Sequence, residues 1–172
     1  MAAPSTSLGA LLKSDDDPPF SPEGRRRAKD AIRRFFRAIA ARDMAALADS
    51  VTEDVVYEMP FSETGSTEPG QFRRYSGRDQ VVAFWERTSG SGLRSAPPED
   101  VELSITADGA RVFIEQRGNM TTADGKPYRN RYVFRFDIAD GRVSHVREYI
   151  NPIISAYAFA RPVANAFIIE KL

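Results

Sequence analysis

The tripeptide Ala-Asp-Gly occurs three times in the second half of this 172-residue chain, at 107–109, 123–125 and 139–141. Asp-Gly between alternating apolar and polar residues is a hairpin signal, because tight turns need residues that accept positive φ. The pieces between these turns alternate with a period of two, which predicts strands near 101–107, 111–121, 128–138 and 142–150. Strands joined by turns this short run antiparallel. The stretch 101–150 is therefore committed to a meander.

The first half repeats at helical spacing instead. Ser21-Pro22-Glu23 supplies an N-cap, a proline for the first helical position and an acid for the first turn. Ala28, Ile32, Phe35, Phe36 and Ile39 follow on one face, with arginines on the other. Lys plus Arg (24) equals Asp plus Glu (24), so Arg25-Arg26-Arg27 reads as a solvated helix face, not a basic patch. Asp43 opens a second short helix with Met44, Leu47 and Ala48, and Val55 to Pro60 reads as a strand stopped by proline. Residues 62–76 are rich in Ser, Thr, Glu, Gly and Pro, a loop long enough for a lid or mouth. Ser76 and Asp79 open a third helix over 77–88 carrying Val81, Val82, Phe84 and Trp85. A helical or irregular segment follows Pro152. Three helices followed by a meander predict an α+β fold, with the helices on one face of a curved sheet that encloses a pocket. Residues 1–20 are expected to be a flexible arm, 21–160 the domain and 161–172 a C-terminal extension.

Composition narrows the chemistry. There is no cysteine, which excludes a disulfide framework, an iron–sulfur site and a thiol nucleophile. The single histidine, His145, argues against a protein-only transition-metal site, so neither metal nor cofactor is expected. No GxGxxG, P-loop, GxSxG or HExxH motif occurs. Balanced charge removes the bulk electrostatic case for nucleic acid or an anionic membrane, and no apolar run approaches the ~20 residues of a span. The N-terminus lacks a basic region and a long apolar run, so cytoplasmic is the default expectation. Chemistry must rest on carboxylates, tyrosines and arginines.

Strand parity sorts these. On 128–138, Tyr128, Asn130, Tyr132, Phe134 and Phe136 face inward, because Arg129, Arg131, Arg135 and Asp137 favour solvent. On 111–121, the choice between Phe113/Glu115/Arg117/Asn119 and Val112/Ile114/Gln116/Gly118 stays open by hydrophobicity alone. So does that between Ser144/Val146/Glu148/Ile150 and Val143/His145/Arg147/Tyr149 on 142–150.

The stretch from Pro127 to Asp137 through Asp140-Gly141, then Val146-Arg147-Glu148-Tyr149-Ile150-Asn151-Pro152, carries the pattern Tyr-x-Asn, Phe-x-Phe, Asp-Gly and Arg-Glu-aromatic-x-Asn. With the helix order it resembles the cone-shaped fold of nuclear transport factor 2, ketosteroid isomerase and the SnoaL-like cyclases, over roughly residues 25–160. Within that group it resembles the phenazine-biosynthesis A/B family. The resemblance implies a catalytic acid at Glu148, facing the cavity with Val146 and Ile150, while His145 and Arg147 point away. It also implies a second acid at Glu115, which would bring Phe113 and Arg117 inside with it. Glu148, Glu115 and Arg117 are thus the expected catalytic set. Phe35, Tyr57, Met59, Phe84, Trp85, Phe113, Tyr128, Asn130, Tyr132, Val146 and Ile150 are the expected substrate-binding walls.

Departures from the pattern limit the reaction. Ketosteroid isomerases carry a tyrosine and two aspartates where this chain has Phe35, Met59 and Tyr132, and the phenazine family's histidine falls on Phe84. The implied activity is cofactor-independent acid–base catalysis (isomerisation, cyclisation, condensation or dehydration) on a hydrophobic carbonyl- or ring-bearing metabolite. The alternative is a non-catalytic binding or interaction module. In that case Glu148 is a structural ion-pair partner of Arg117, and the tyrosines only line the cavity. A homodimer through the outer sheet face, with Ile114, Gln116, Val133, His145 and Tyr149, completes the expectation.

Overall fold

The computed structural model describes residues 7–13, 17–61, 68 and 71–161. Helix α1 (Leu8–Leu11) lies in the expected arm, where Leu8, Leu12 and Phe20 are exposed. The expected extension beyond Arg161 lies outside the described residues. Helix α2 (Pro22–Ala41) starts as its sequence dictates, with Ser21 Oγ accepting from the Gly24 N–H at 2.9 Å. Ala28, Ala31, Ile32, Phe35 and Ala38 form its buried face. Arg42, with φ 55°, ends it, and Asp43 caps α3 (Met44–Ser50). Then follow β1 (Val51–Met59), β2 (Arg73–Ser76), α4 (Arg78–Gly90), β3 (Arg94–Ile105), β4 (Arg111–Thr121), β5 (Pro127–Tyr128), β6 (Arg131–Ala139), β7 (Arg142–Ile150) and α5 (Pro152–Ala158).

One sheet runs β2-β1-β7-β6-β4-β3, with β5 paired to β4. Every pairing is antiparallel except β1 with β7, which is parallel. The sheet curves strongly and the helices pack on its concave face, the α+β cone that the sequence and the resemblance together predict. Phe35, Leu47, Val51, Val55, Tyr57, Val81, Val112, Phe136, Val143 and Val146 are fully buried between the layers. Where the β3–β4 turn meets the first turn of α2, a Cβ on Gly109 would lie 2.2 Å from the Gly24 carbonyl carbon, and Gly109 has φ +78°. Only glycine fits both demands. The contact is tied by the Ser21 N–H donating to Ala107 O at 2.8 Å and by Arg25 donating to Ile105 O at 2.6 Å.

Five elements differ from expectation. β1 begins at Val51 instead of 55, and α4 starts after Gly77 with no side-chain cap bond, while Ser76, its expected cap, ends β2. β3 begins at Arg94 instead of 101 and runs through Pro97-Pro98, which an edge strand tolerates because no partner needs the missing N–H. Its register with β4 shifts on both sides of Glu99, and Asp100 has φ 52°. The expected 62–76 lid or mouth loop lies largely outside the described residues, and its last four residues form β2, too few to show a period. The expected 128–138 strand is broken at Arg129-Asn130 into β5 and β6, because Asn130 turns its side chain to Asn151.

Candidate active site

The parallel pairing of β1 with β7 aligns Tyr57 with Val146 and Glu58 with Arg147. The two strands send Tyr57 and Glu148 into the cone, where the Tyr57 hydroxyl donates to Glu148 Oε2 at 2.5 Å. Glu148 is 8% exposed and Tyr57 0%. Burial pushes the Glu148 carboxyl up to about 7, against the opposing effects of the Tyr57 hydrogen bond and the Arg73 charge. Burial first, and then the Glu148 charge, push the Tyr57 hydroxyl well above its usual value, so it remains a donor.

The walls are aromatic. Phe134 sits opposite Glu148 in the β6–β7 register and stacks between Tyr132 and Phe136, with centroid distances of 5.4 and 5.9 Å. Trp85 meets Tyr57 edge-on at 5.9 Å, and Phe84 stacks on Tyr75 at 4.5 Å. Phe35, Met59, Phe84, Trp85, Val146 and Ile150, all expected as walls, belong to this interior. Burial, the neighbouring Tyr128 and the Glu148 charge all push the Tyr132 hydroxyl up, so it too stays protonated. A Cβ on Gly118 would lie 2.8 Å from the Tyr132 ring, so this glycine gives the ring its place.

Asn130 is inside but not available to a ligand. Its amide donates to the Tyr128 hydroxyl at 3.1 Å and to Asn151 O at 3.0 Å, and its carbonyl accepts from the Asn151 N–H at 3.0 Å. Those bonds fasten β6 to the start of α5, where Asn151 caps the helix. Tyr128 packs against Phe159 at 5.1 Å on the same seam.

The second acid is placed opposite to expectation. Val112, Ile114 and Gly118 are buried, while Phe113 and Glu115 are exposed and Arg117 is bonded to Glu99 and Asp100 outside the cone. Register gives the reason. Ile114 pairs with Phe134 and Val112 with Phe136, so the inward face of β6 fixes the inward face of β4. Phe113, Glu115 and Arg117 are therefore corrected to the outer face, and no Glu115–Arg117–Glu148 cluster forms. Glu115 instead lines an outer groove of about 420 Å³ with Glu102, Arg131, Val133 and Tyr149. Ile114, expected outside, lies inside, and half-buried Gln116, paired with Tyr132, shares its face. Hydrophobicity alone leaves this face open, and the resemblance pointed to the wrong one.

His145 and Arg147 do point away. Both contact Glu58 Oε1, at 3.0 and 2.6 Å, and Asp137 binds Arg111 and Arg135 beside them. The residue that sequence reasoning missed is Arg73, half-buried on β2 opposite Met59, whose charge reaches Glu148. No periodic signal marked it, since β2 has only four residues. Among the described residues no group of three His, Cys, Asp or Glu is placed to hold a metal, and no helix is long and apolar enough to cross a membrane.

Known proteins share this cone. The uncharacterized protein YesE of Bacillus subtilis (strain 168) is 25% identical over 142 residues, covering 77% of this chain and 87% of that protein. A Bacillus subtilis structure described as a candidate isomerase superposes with a TM-score of 0.68 at 22% identity, over 83% of this chain and 99% of that one. A phenazine biosynthesis-related protein from Pseudomonas aeruginosa gives a TM-score of 0.62 at 16% identity, over 94% and 99%. At such identities the two structures speak for the fold. The family model of the SnoaL-like domain matches residues 32–146. That span runs from the apolar face of α2, through the strand that holds Tyr57, to two residues short of the buried acid, and by it the chain belongs to the SnoaL-like domain family.

Proposed function

We propose that this protein is a small-molecule enzyme in which Glu148 moves a proton on a hydrophobic, carbonyl- or ring-bearing metabolite. The observation that carries the reading is the buried carboxyl bonded to Tyr57 among aromatic walls and held at about 7. A group with that value is part acid and part base at neutral pH, so it can take a proton from carbon and return it elsewhere. Tyr57 engages Oε2, which leaves Oε1 for the substrate. Arg73 supplies a positive charge that reaches the acid, suited to oxyanion character in a transition state. Isomerisation, cyclisation, condensation and dehydration all fit this set. A place in secondary metabolism or catabolism, in the cytoplasm, completes the proposal.

The test is proton exchange. A panel of hydrophobic ketones is incubated in D₂O and exchange at the carbon beside the carbonyl is followed by NMR. Wild type is expected to accelerate exchange, and Glu148→Gln to lose about a hundred- to ten-thousand-fold of it. Equal exchange by the two proteins refutes Glu148 as the proton carrier. A second reading, a ligand-binding or dimeric interaction module, draws on the dense ring packing of Phe35, Phe36, Phe134 and Phe136. It predicts binding without exchange, and a homodimer through the outer face that bears Val133 and Tyr149, seen by light scattering.

A further inference from the structure

Trp85 is the single tryptophan of the chain, and its indole Nε1 is buried with no hydrogen-bond partner. Most other buried polar side chains of the interior are paired: Tyr57 with Glu148, Asn130 with Tyr128 and Asn151, Ser50 with Leu47 O. Two further unpartnered atoms, Thr52 Oγ1 and Arg78 Nε, belong to residues at the starts of β1 and α4. Trp85 is packed on the residue that holds the acid, its ring 5.9 Å from that of Tyr57 and 6.3 Å from that of Phe35. Phenylalanine would fill an apolar wall without desolvating a donor, and buried donors in native proteins have acceptors.

Resting on the function proposed above, we infer that the Trp85 indole N–H is a ligand-positioning donor, and that the substrate carries a hydrogen-bond acceptor, a carbonyl or ring oxygen, seated against it. The acceptor sets orientation. An acceptor held at Trp85 lies on the side of Tyr57, the residue that holds the acid. Hydrocarbons of the same shape fit the walls but leave the donor unpaired, so they bind more weakly.

The lone tryptophan makes this measurable, because ¹⁵N labelling gives one indole resonance. The full-length protein is titrated with 2-tetralone and, separately, with tetralin, the same bicycle without the oxygen. The ketone is expected to move the indole proton downfield and slow its exchange with D₂O, and to bind about tenfold tighter than the hydrocarbon. Trp85→Phe, and Trp85 replaced by benzothienylalanine to keep the bicyclic shape, are expected to bind both compounds equally. Equal indole shifts with the two compounds, a ketone preference that survives either replacement, or no binding of the ketone at millimolar concentration overturns the inference. The wild-type comparison stands even if Trp85→Phe fails to fold. Glu148→Gln is expected to keep the ketone preference, since the indole contact needs no proton transfer. Loss of that preference alone therefore strikes this inference, and unchanged proton exchange in Glu148→Gln strikes the proposed function.

Discussion

Replacing Glu148 by glutamine is expected to stabilise the protein at neutral and higher pH. The carboxyl titrates near 4.5 when unfolded and at about 7 when folded, so the folded state holds the extra proton between those values. Stability then falls with rising pH across that window, is unaffected by this group below about 4.5, and levels off above about 7. At 1.36 kcal/mol for each pH unit the penalty carried by the wild type at pH 8 comes to roughly 3 kcal/mol. Glutamine has the same shape, still accepts from the Tyr57 hydroxyl, and has no charge to bury. The two proteins should therefore unfold alike near pH 4, with Glu148→Gln higher in Tm by roughly 6–12 °C at pH 8. Thermal and urea unfolding at four or five pH values across the window measure the difference. Parallel stability curves would mean that the acid is ionised inside the cone at no cost, and the reasoning would be wrong.

Tyr57→Phe removes the hydroxyl that favours the ionised form, so the Glu148 titration, read by NMR of the side-chain carboxyl, should move above about 7, and a downward move contradicts the assigned bond. On the outer face, burial pushes the Glu58 carboxyl up, but Arg147 and the His145 charge outweigh it and leave it low. Its stabilisation is full above the ordinary carboxylate range and is lost as pH falls through the lowered value. Glu58→Gln should therefore cost about 1–3 kcal/mol near pH 7 and much less near pH 3, by urea titration. Gly109→Ala forces a side chain against the Gly24 backbone at positive φ and should cost at least ~1–3 kcal/mol in Tm-derived stability, with Gly24→Ala similar.

How far the sequence is legible depends on what decides each feature. Caps and turns are local, so Ser21, Asp43 and the Ala-Asp-Gly turns announce α2, α3 and the meander directly. The inward face of β6 is legible because arginines crowd its other side. The face of β4 is settled by a pairing register, and no single strand contains that information. Hydrophobicity alone left that face open, and reading Glu115 inward by resemblance therefore failed. Arg73 was hidden because its strand is four residues long and borrows its regularity from β1. Asn130 looked like a ligand contact because an amide on an inward face is equally suited to tying two pieces of backbone.

The parallel pairing of β1 with β7 also governs when the site can exist. Tyr57 and Glu148 are 91 positions apart in the chain, and β1 can join β7 only after nearly all of the domain has been made. At about 5–20 residues per second on the ribosome, β1 waits several seconds with β2 as its only strand partner. Contacts this distant also slow folding of the finished chain, since loop closure precedes any gain from pairing. The acid is thus withdrawn from water in one of the last steps of assembly, and a nascent chain cut short before residue 148 holds the tyrosine without the group it serves.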